Sequence, residues 1–254
     1  MISKIVQFIA VMILIFVASV YLTSPLHSVL PMFKFEQIFN RLIMVFTIAA
    51  AVIFVLREQL KEGGTGFGRE FWRKNGFDFS APWQKLFWYG FLSGSLAVAF
   101  IIVWQVVFGP RYVRSPILLQ DIVERFFKGM LSGVVVGIVE EFFFRGFIFN
   151  ILKKKLHIVL AVLLASAFYS LTHFFDNGQI FIPKNPSFGD AFRLSIGYLE
   201  PFVNQWHKIY PQFIGLFIFG AILCLSYLRS KSLFLPIGIH AGAVFAIKFQ
   251  HSFV

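Results

Sequence analysis

Long apolar runs separated by short polar loops dominate the hydropathy pattern of this 254-residue chain. A helix that crosses a bilayer needs about 20 consecutive, mostly uncharged apolar residues. Seven runs approach that length, at 5–22, 37–56, 86–108, 129–150, 156–174, 212–228 and 233–250, and 190–204 is a candidate for one more helix. The pattern therefore predicts an all-α fold, a polytopic transmembrane helical bundle of about seven membrane helices, or eight with the extra element.

Composition and charge support the same interpretation. Apolar residues make up 58% of the chain and charged residues 14%, whereas about 25% charged is usual in soluble domains. A net charge of +11 would suggest nucleic acid in a soluble chain. Here the Lys and Arg residues lie in short loops, where they act as topology signals and contact phospholipid headgroups. We therefore predict a multi-pass protein of the cell membrane, with lipids and no nucleic acid among its partners.

Two parts are predicted along the chain. Residues 1–85 hold N-terminal membrane helices and a basic interfacial loop, and residues 86–254 form a membrane core with an inserted loop at 175–211. The first run resembles a signal peptide, but its length and poor cleavage site predict a retained helix. Glycines at 63–68 predict a hinge, and the polar, proline-rich loop is expected to cover the mouth of a site.

Three ionisable side chains interrupt the fourth apolar run: Glu140, Glu141 and Arg145. Each costs roughly 2.5 to 3.5 kcal/mol at membrane depth, so such residues are functional by default. Glu141 and Arg145 are spaced i,i+4 and are expected to pair on one helix face. Glu140 lies about 100° around the helix and gains no such partner from its own helix.

Two histidines in later runs offer partners for Glu140. His173 shares a helix face with Tyr169, and His240 lies between Gly238 and Gly242, where another backbone can approach closely. We expect Glu140, His173 and His240 to converge around a cavity that admits water. The competing structural interpretation is a buried ionic clamp with two histidines that only satisfy packing and interface contacts.

Three ordered segments carry a family resemblance: EEFFFRG at 140–146, FYSLTH at 168–173 and LPIGIHA at 235–241. They resemble the motifs of the CAAX protease and bacteriocin-processing (CPBP or Abi) family of intramembrane proteases, over roughly residues 86–250. The resemblance implies a hydrolase, a glutamate-dependent endopeptidase related to the type II CAAX prenyl endopeptidases that act in CAAX-box protein processing. Its substrate would be a peptide or protein, prenylated or embedded in the membrane.

The resemblance also implies roles for individual residues. Glu140 and His173 would activate a water molecule, and His240 would help to bind the oxyanion. Glu141 and Arg145 would order the site, with Tyr169 in support at a position where the family usually has phenylalanine. Val244 stands where the family usually has asparagine, and losing one oxyanion donor costs on the order of 3 kcal/mol. Lys248, one turn further on, is a candidate substitute.

Other functions remain open at this point. The departure at Val244 favours a non-catalytic membrane scaffold, immunity factor or regulatory protein that uses the same polar cavity. A transporter with a proton relay is a third class, although the chain has no inverted repeat. No cofactor is otherwise predicted, but a carboxylate with two imidazoles is a ligand set that suits zinc. The sequence has no HExxH motif of zinc proteases.

Overall fold

The computed structural model describes residues 2–61, 68–80, 82–109, 111–113, 115–174, 181–183, 185–198 and 200–253. All regular structure in these ranges is helical, so the predicted all-α class is confirmed. The glycine hinge predicted at 63–68 lies outside the described residues except for Gly68, and so do residues 175–180 of the inserted loop.

The helices differ widely in length, from 4 residues in α6 to 28 in α1. In chain order they are α1 (Ile2–Val29), α2 (Phe35–Lys61), α3 (Arg69–Lys74), α4 (Trp83–Phe108), α5 (Leu119–Glu141), α6 (Asn150–Lys153), α7 (Ile158–Thr172), α8 (Phe188–Gly197), α9 (Glu200–Asn204), α10 (Trp206–Ser230) and α11 (Phe234–Phe249). A π-helix, Phe142–Phe149, joins α5 to α6, and a short 3₁₀ turn, Gln250–Ser252, follows α11.

Four helices in the described ranges are long and apolar enough to cross a bilayer. They cover Ala10–Val29, Phe35–Phe54, Trp83–Phe108 and Trp206–Ser230, as expected of a multi-pass membrane protein. The predicted runs at 156–174 and 233–250 form helices of only 15 and 16 residues, shorter than the roughly 20 that span the hydrocarbon core.

The described chain falls into two compact units, and α7 and α10 contribute residues to both. The first unit comprises Met1–Lys61 and Phe168–Phe217. In it α1 packs against α2 and α8, and the ring of Phe39 stacks on that of Tyr198 at 5.6 Å between centroids. The single extra element expected at 190–204 is two helices, α8 and α9, and α10 begins at Trp206, earlier than the predicted 212.

The second unit comprises Glu62–Ala167 and Ile218–Val254. Its α11 packs against both α4 and α5, and at the glycine positions the helix backbones are in direct contact. A Cβ atom added to Gly238 would lie 2.1 Å from the carbonyl oxygen of Phe87, and one added to Gly133 would lie 2.5 Å from that of Ala241. Small residues permit such close helix contacts in membranes, so Gly238 and Gly133 account for the close approach of α11 to α4 and α5.

Aromatic residues fill one end of the second unit. Phe77, Phe149, Tyr227 and Phe234 belong to one buried cluster. Gly76, with a positive φ of 93°, turns the chain so that its carbonyl oxygen accepts a hydrogen bond from the backbone N–H of Leu233 at 2.8 Å. This contact ties the segment after α3 to the turn between α10 and α11.

Candidate active site

The two adjacent glutamates lie at the C-terminal end of α5, where the backbone passes into the π-helix. π-Helical turns are rare and are frequently found at functional sites. One turn earlier, Gly137 lets α11 approach: a Cβ there would lie 3.0 Å from the carbonyl oxygen of Ile237. The local backbone therefore brings α11 against the carboxylates of α5.

Glu141 is the centre of a buried polar cluster. Its Oε1 accepts a hydrogen bond from Arg145 Nη1 at 2.8 Å, which confirms the predicted i,i+4 pair. The same oxygen lies 2.7 Å from Nδ1 of His240. Arg145 also donates from Nη2 to the carbonyl oxygen of Gly220 at 3.1 Å. One carboxylate thus links α5, the π-helix and α11, and Arg145 extends the link to α10.

Glu140 approaches the second ring nitrogen of the same imidazole. Its Oε2 lies 3.8 Å from Nε2 of His240, which is longer than a direct hydrogen bond. The Glu140 side chain is 29% exposed, whereas those of Glu141 and His240 are 0% and 4% exposed. The ring of Phe219 meets that of His240 edge to face at 5.7 Å. Glu140 is therefore the most exposed residue of these three, although its Oε2 atom is itself buried.

His173 lies in the turn directly after α7, one residue beyond the helix end at Thr172. Its Nδ1 lies 2.8 Å from the carbonyl oxygen of Tyr169, and the two rings are 4.5 Å apart between centroids. Tyr169 itself is buried. His173 and Tyr169 belong to the first unit and Glu140 to the second, so their convergence at one site stays a prediction.

Lys248, the candidate replacement for the missing asparagine, is engaged elsewhere. Its Nζ donates to Ser132 Oγ at 2.5 Å. Lys248 follows His240 by eight residues, about 12 Å along a helix, which does not favour a role beside His240. Val244 is half-buried one turn beyond His240 and offers no hydrogen-bond donor from its side chain.

Sequence reasoning missed the contact between Glu141 and His240 and the carbonyl group of Gly220. Helical spacing reports neighbours on one helix, whereas these contacts join α5 to α11 and the π-helix to α10. The only signal in the sequence was indirect. Glycines flank His240 and precede Glu141 at helical spacing, which favours a close helix contact at both places.

Within the described ranges no three His, Cys, Asp or Glu side chains are grouped as metal ligands. Nδ1 of His240 is hydrogen bonded to Oε1 of Glu141, so Nε2 is the ring nitrogen that would be open to a metal. The zinc interpretation, which needs Glu140 and His173 as further ligands, stays a prediction.

Comparison with known proteins bears on this cluster. Residues 122–246 match the model of the family described as type II CAAX prenyl endopeptidase, Rce1-like. The matched range contains α5 from its first turn, the π-helix and α11 as far as Ala246. No curated protein and no solved structure is significantly similar to the chain.

Proposed function

Since residues 122–246 form a domain of the Rce1-like type II CAAX prenyl endopeptidase family, whose members are hydrolases, we propose that this chain is an intramembrane glutamate-dependent endopeptidase. The observation that carries the proposal is the contact of Glu140 and Glu141 with His240 inside the matched range. A carboxylate that is partly accessible beside a buried imidazole is the combination that general acid–base hydrolysis needs.

Glu140 acts as the general base in the proposed mechanism. It removes a proton from a water molecule, with His173 sharing that proton, while the water oxygen bonds to the scissile carbonyl carbon. The tetrahedral intermediate then collapses, the C–N bond breaks, and the proton held by Glu140 passes to the leaving amine. One water is consumed, and a carboxylic acid and an amine are released.

His240 stabilises the oxyanion of the intermediate, and Glu141 sets which ring nitrogen can do so. A carboxylate accepts hydrogen bonds, so the contact with Glu141 assigns a proton to Nδ1 of His240. Nε2 is then directed toward Glu140. To donate from Nε2, the ring must carry both protons. Arg145 and Glu141 position the ring, and Tyr169 positions His173 through the contact of their side chains.

The membrane setting completes the proposal. The chain crosses the cell membrane about seven times. Its substrate is a peptide or protein presented at the membrane, with prenylation as the modification that the family suggests. The helix pair α5 and α11 then holds the reacting groups away from bulk water, which strengthens the electrostatic interactions of the site.

A non-catalytic binding protein is the second candidate, and Val244 is the observation that favours it. With valine one turn beyond His240, the site lacks the amide donor that the family usually supplies there. A scaffold or immunity protein would keep the cavity and the buried cluster but would not need an oxyanion donor.

Cleavage of a peptide library by the purified protein in detergent separates the two functions. We expect products from the wild type and none from Glu140→Ala. The control is Glu124→Ala, which removes an exposed carboxylate from the same helix and should cleave at the wild-type rate. Products from Glu140→Ala at the wild-type rate would reject the glutamate-dependent mechanism, and no products from any form would favour the binding function.

A further inference from the structure

Five cations of the second unit lie at the ends of α6 and α10. They are Lys153, Lys154, Lys155, Arg229 and Lys231, here called the basic rim. Lys153 Nζ lies 4.9 Å from the centroid of the Tyr227 ring. The backbone N–H of Lys231 donates to the carbonyl oxygen of Tyr227 at 2.8 Å. Tyr227 therefore joins the segment after α6 to the end of α10.

Lys153 is held in place by aromatic rings. Its ammonium also lies 5.9 Å from the ring of Phe149, and cations are attracted to ring faces at such distances. The hydroxyl of Tyr227 is hydrogen bonded to the Asn150 side chain at 3.1 Å, which fixes the ring beneath the ammonium. Burial lowers the pKa of Lys153 below its ordinary value, and the charge of Lys154 adds to this. A neighbouring anion would offset both effects.

The positive charge of the basic rim is not neutralised within its own segments. Residues 142–157 and 218–233 contain no Asp or Glu. Helix α3 and the segment after it, which contacts Leu233, do carry carboxylates, but these have local partners. Glu70 pairs with Lys74 at 3.5 Å. Asp78 accepts hydrogen bonds from Ser80, and these bonds lower its pKa.

Exposed aromatic side chains lie at the same end of the unit. Trp72 is 38% exposed and Phe79 is 56% exposed, and their rings pack on Phe77 and Phe234 respectively. The candidate span Trp83–Phe108 begins at this end, and the candidate span Trp206–Ser230 ends here. Aromatic and basic side chains at the end of a span mark the depth of lipid headgroups. This location favours a lipid over a soluble anion.

We propose that the basic rim binds the phosphate of an anionic phospholipid headgroup, with Lys153 as its central contact. The ring-held ammonium presents a fixed positive charge, and the other four cations lie in the same two segments, which Tyr227 joins. Binding at the rim does not depend on whether the protein cleaves peptides.

Thermal stability in a neutral detergent, titrated with phosphatidylglycerol, tests the site on the full chain. We expect the wild type to be stabilised, and Lys154→Gln/Lys155→Gln to need about 25-fold more lipid for the same shift, at roughly fivefold per cation. Arg125→Gln/Lys128→Gln is the control, because it removes two cations, one half-buried and one exposed, from the first half of α5. It should keep the wild-type midpoint, and phosphatidylcholine or glycerol phosphate should not reproduce the shift.

An equal rise of the phosphatidylglycerol concentration at the titration midpoint in both double variants would overturn the proposal. The loss of binding would then follow from the lower net charge of the protein and not from a site at the basic rim. Equal stabilisation by phosphatidylcholine would also reject it, and so would equal stabilisation by glycerol phosphate. If Lys154→Gln/Lys155→Gln does not fold, the single variants Lys153→Gln and Lys153→Arg test the proposal instead. The glutamine variant should need about fivefold more lipid and the arginine variant no more than the wild type. A titration midpoint for Lys153→Gln that is identical to that of the wild type would contradict a central role for Lys153.

Discussion

The two adjacent glutamates have different structural surroundings, which separates their contributions to stability. Glu141 is fully enclosed between Arg145 and His240, whereas Glu140 is 29% exposed. Breaking a buried ion pair by removing one partner costs about 3–5 kcal/mol. We therefore expect Glu141→Gln to lower the free energy of unfolding by that order and Glu140→Gln to change it by less than about 1 kcal/mol.

Thermal or denaturant unfolding in detergent measures the difference between these two variants. The mutations are chemically identical and adjacent in the chain, so each serves as the control for the other. An equal loss of stability in both would favour a purely structural ionic cluster that includes Glu140.

Val244 offers a test of the proposed oxyanion site. If only one donor is missing, Val244→Asn should raise the turnover rate by up to about a hundredfold on the scale of a single oxyanion donor. The Michaelis constant should change little, because the contact forms mainly in the transition state. Steady-state kinetics on a cleaved peptide measures both parameters, and Val244→Leu, which is similar in size to asparagine but has no hydrogen-bond donor, is the control. An unchanged rate in Val244→Asn would place the oxyanion donor elsewhere.

At the residue scale, the sequence predicted what depends on spacing along one helix. The pair of Glu141 and Arg145 followed from i,i+4 geometry, and so did the contact of Tyr169 with His173. The contact of Glu141 with His240 joins residues 99 positions apart. No helical period reports such a pair, so the sequence could give only the expectation of a shared interior.

At the scale of elements, α11 depends on glycine for its contact with α4. A Cβ added to Gly238 would lie 2.1 Å from the backbone oxygen of Phe87, and that oxygen cannot move without its helix. We expect Gly238→Ala to separate the helices, lower stability by several kcal/mol as overpacking does, and displace His240. Loss of stability in detergent measures this effect.

Gly215→Ala in α10 is the matched control. A Cβ at that position would meet no atom within 4 Å, and alanine favours a helix by up to about 1 kcal/mol over glycine. The variant should be as stable as the wild type or slightly more so. If Gly238→Ala were equally harmless, the close packing of α11 on α4 would be contradicted.

Element boundaries were predicted less well than element identity. Helix α5 begins at Leu119, ten residues before the apolar run that predicted it, because its first turns are polar and exposed. The π-helix at Phe142–Phe149 left no signature in the apolar pattern. Hydropathy reports which residues avoid water, and a helix that extends past the hydrocarbon core or changes its winding keeps the same pattern.

At the scale of the whole molecule, the proposed mechanism makes Glu140 and His173 partners in one catalytic step. Residues that act as one catalytic unit lose activity non-additively. We expect Glu140→Gln, His173→Ala and the double variant to have nearly the same residual rate. A double variant slower than either single one by the product of both losses would show that His173 acts independently of Glu140.

The membrane character of the chain was predicted from composition and run length, and four candidate spans in the described residues agree with it. The convergence of His173 with Glu140 stays a prediction, because the spacing of residues within α7 and α5 does not fix how two helices pack. That arrangement is decided by tertiary packing over the whole bundle, which no local pattern encodes.

The most direct test of the central claim is the single-turnover rate of peptide hydrolysis by purified wild type and Glu140→Gln. Loss of a general base lowers a rate by about 10²–10⁴-fold, so we predict a decrease of at least that order with the fold and substrate binding retained. Hydrolysis by Glu140→Gln at the wild-type rate would contradict the assignment of Glu140 as the group that activates water.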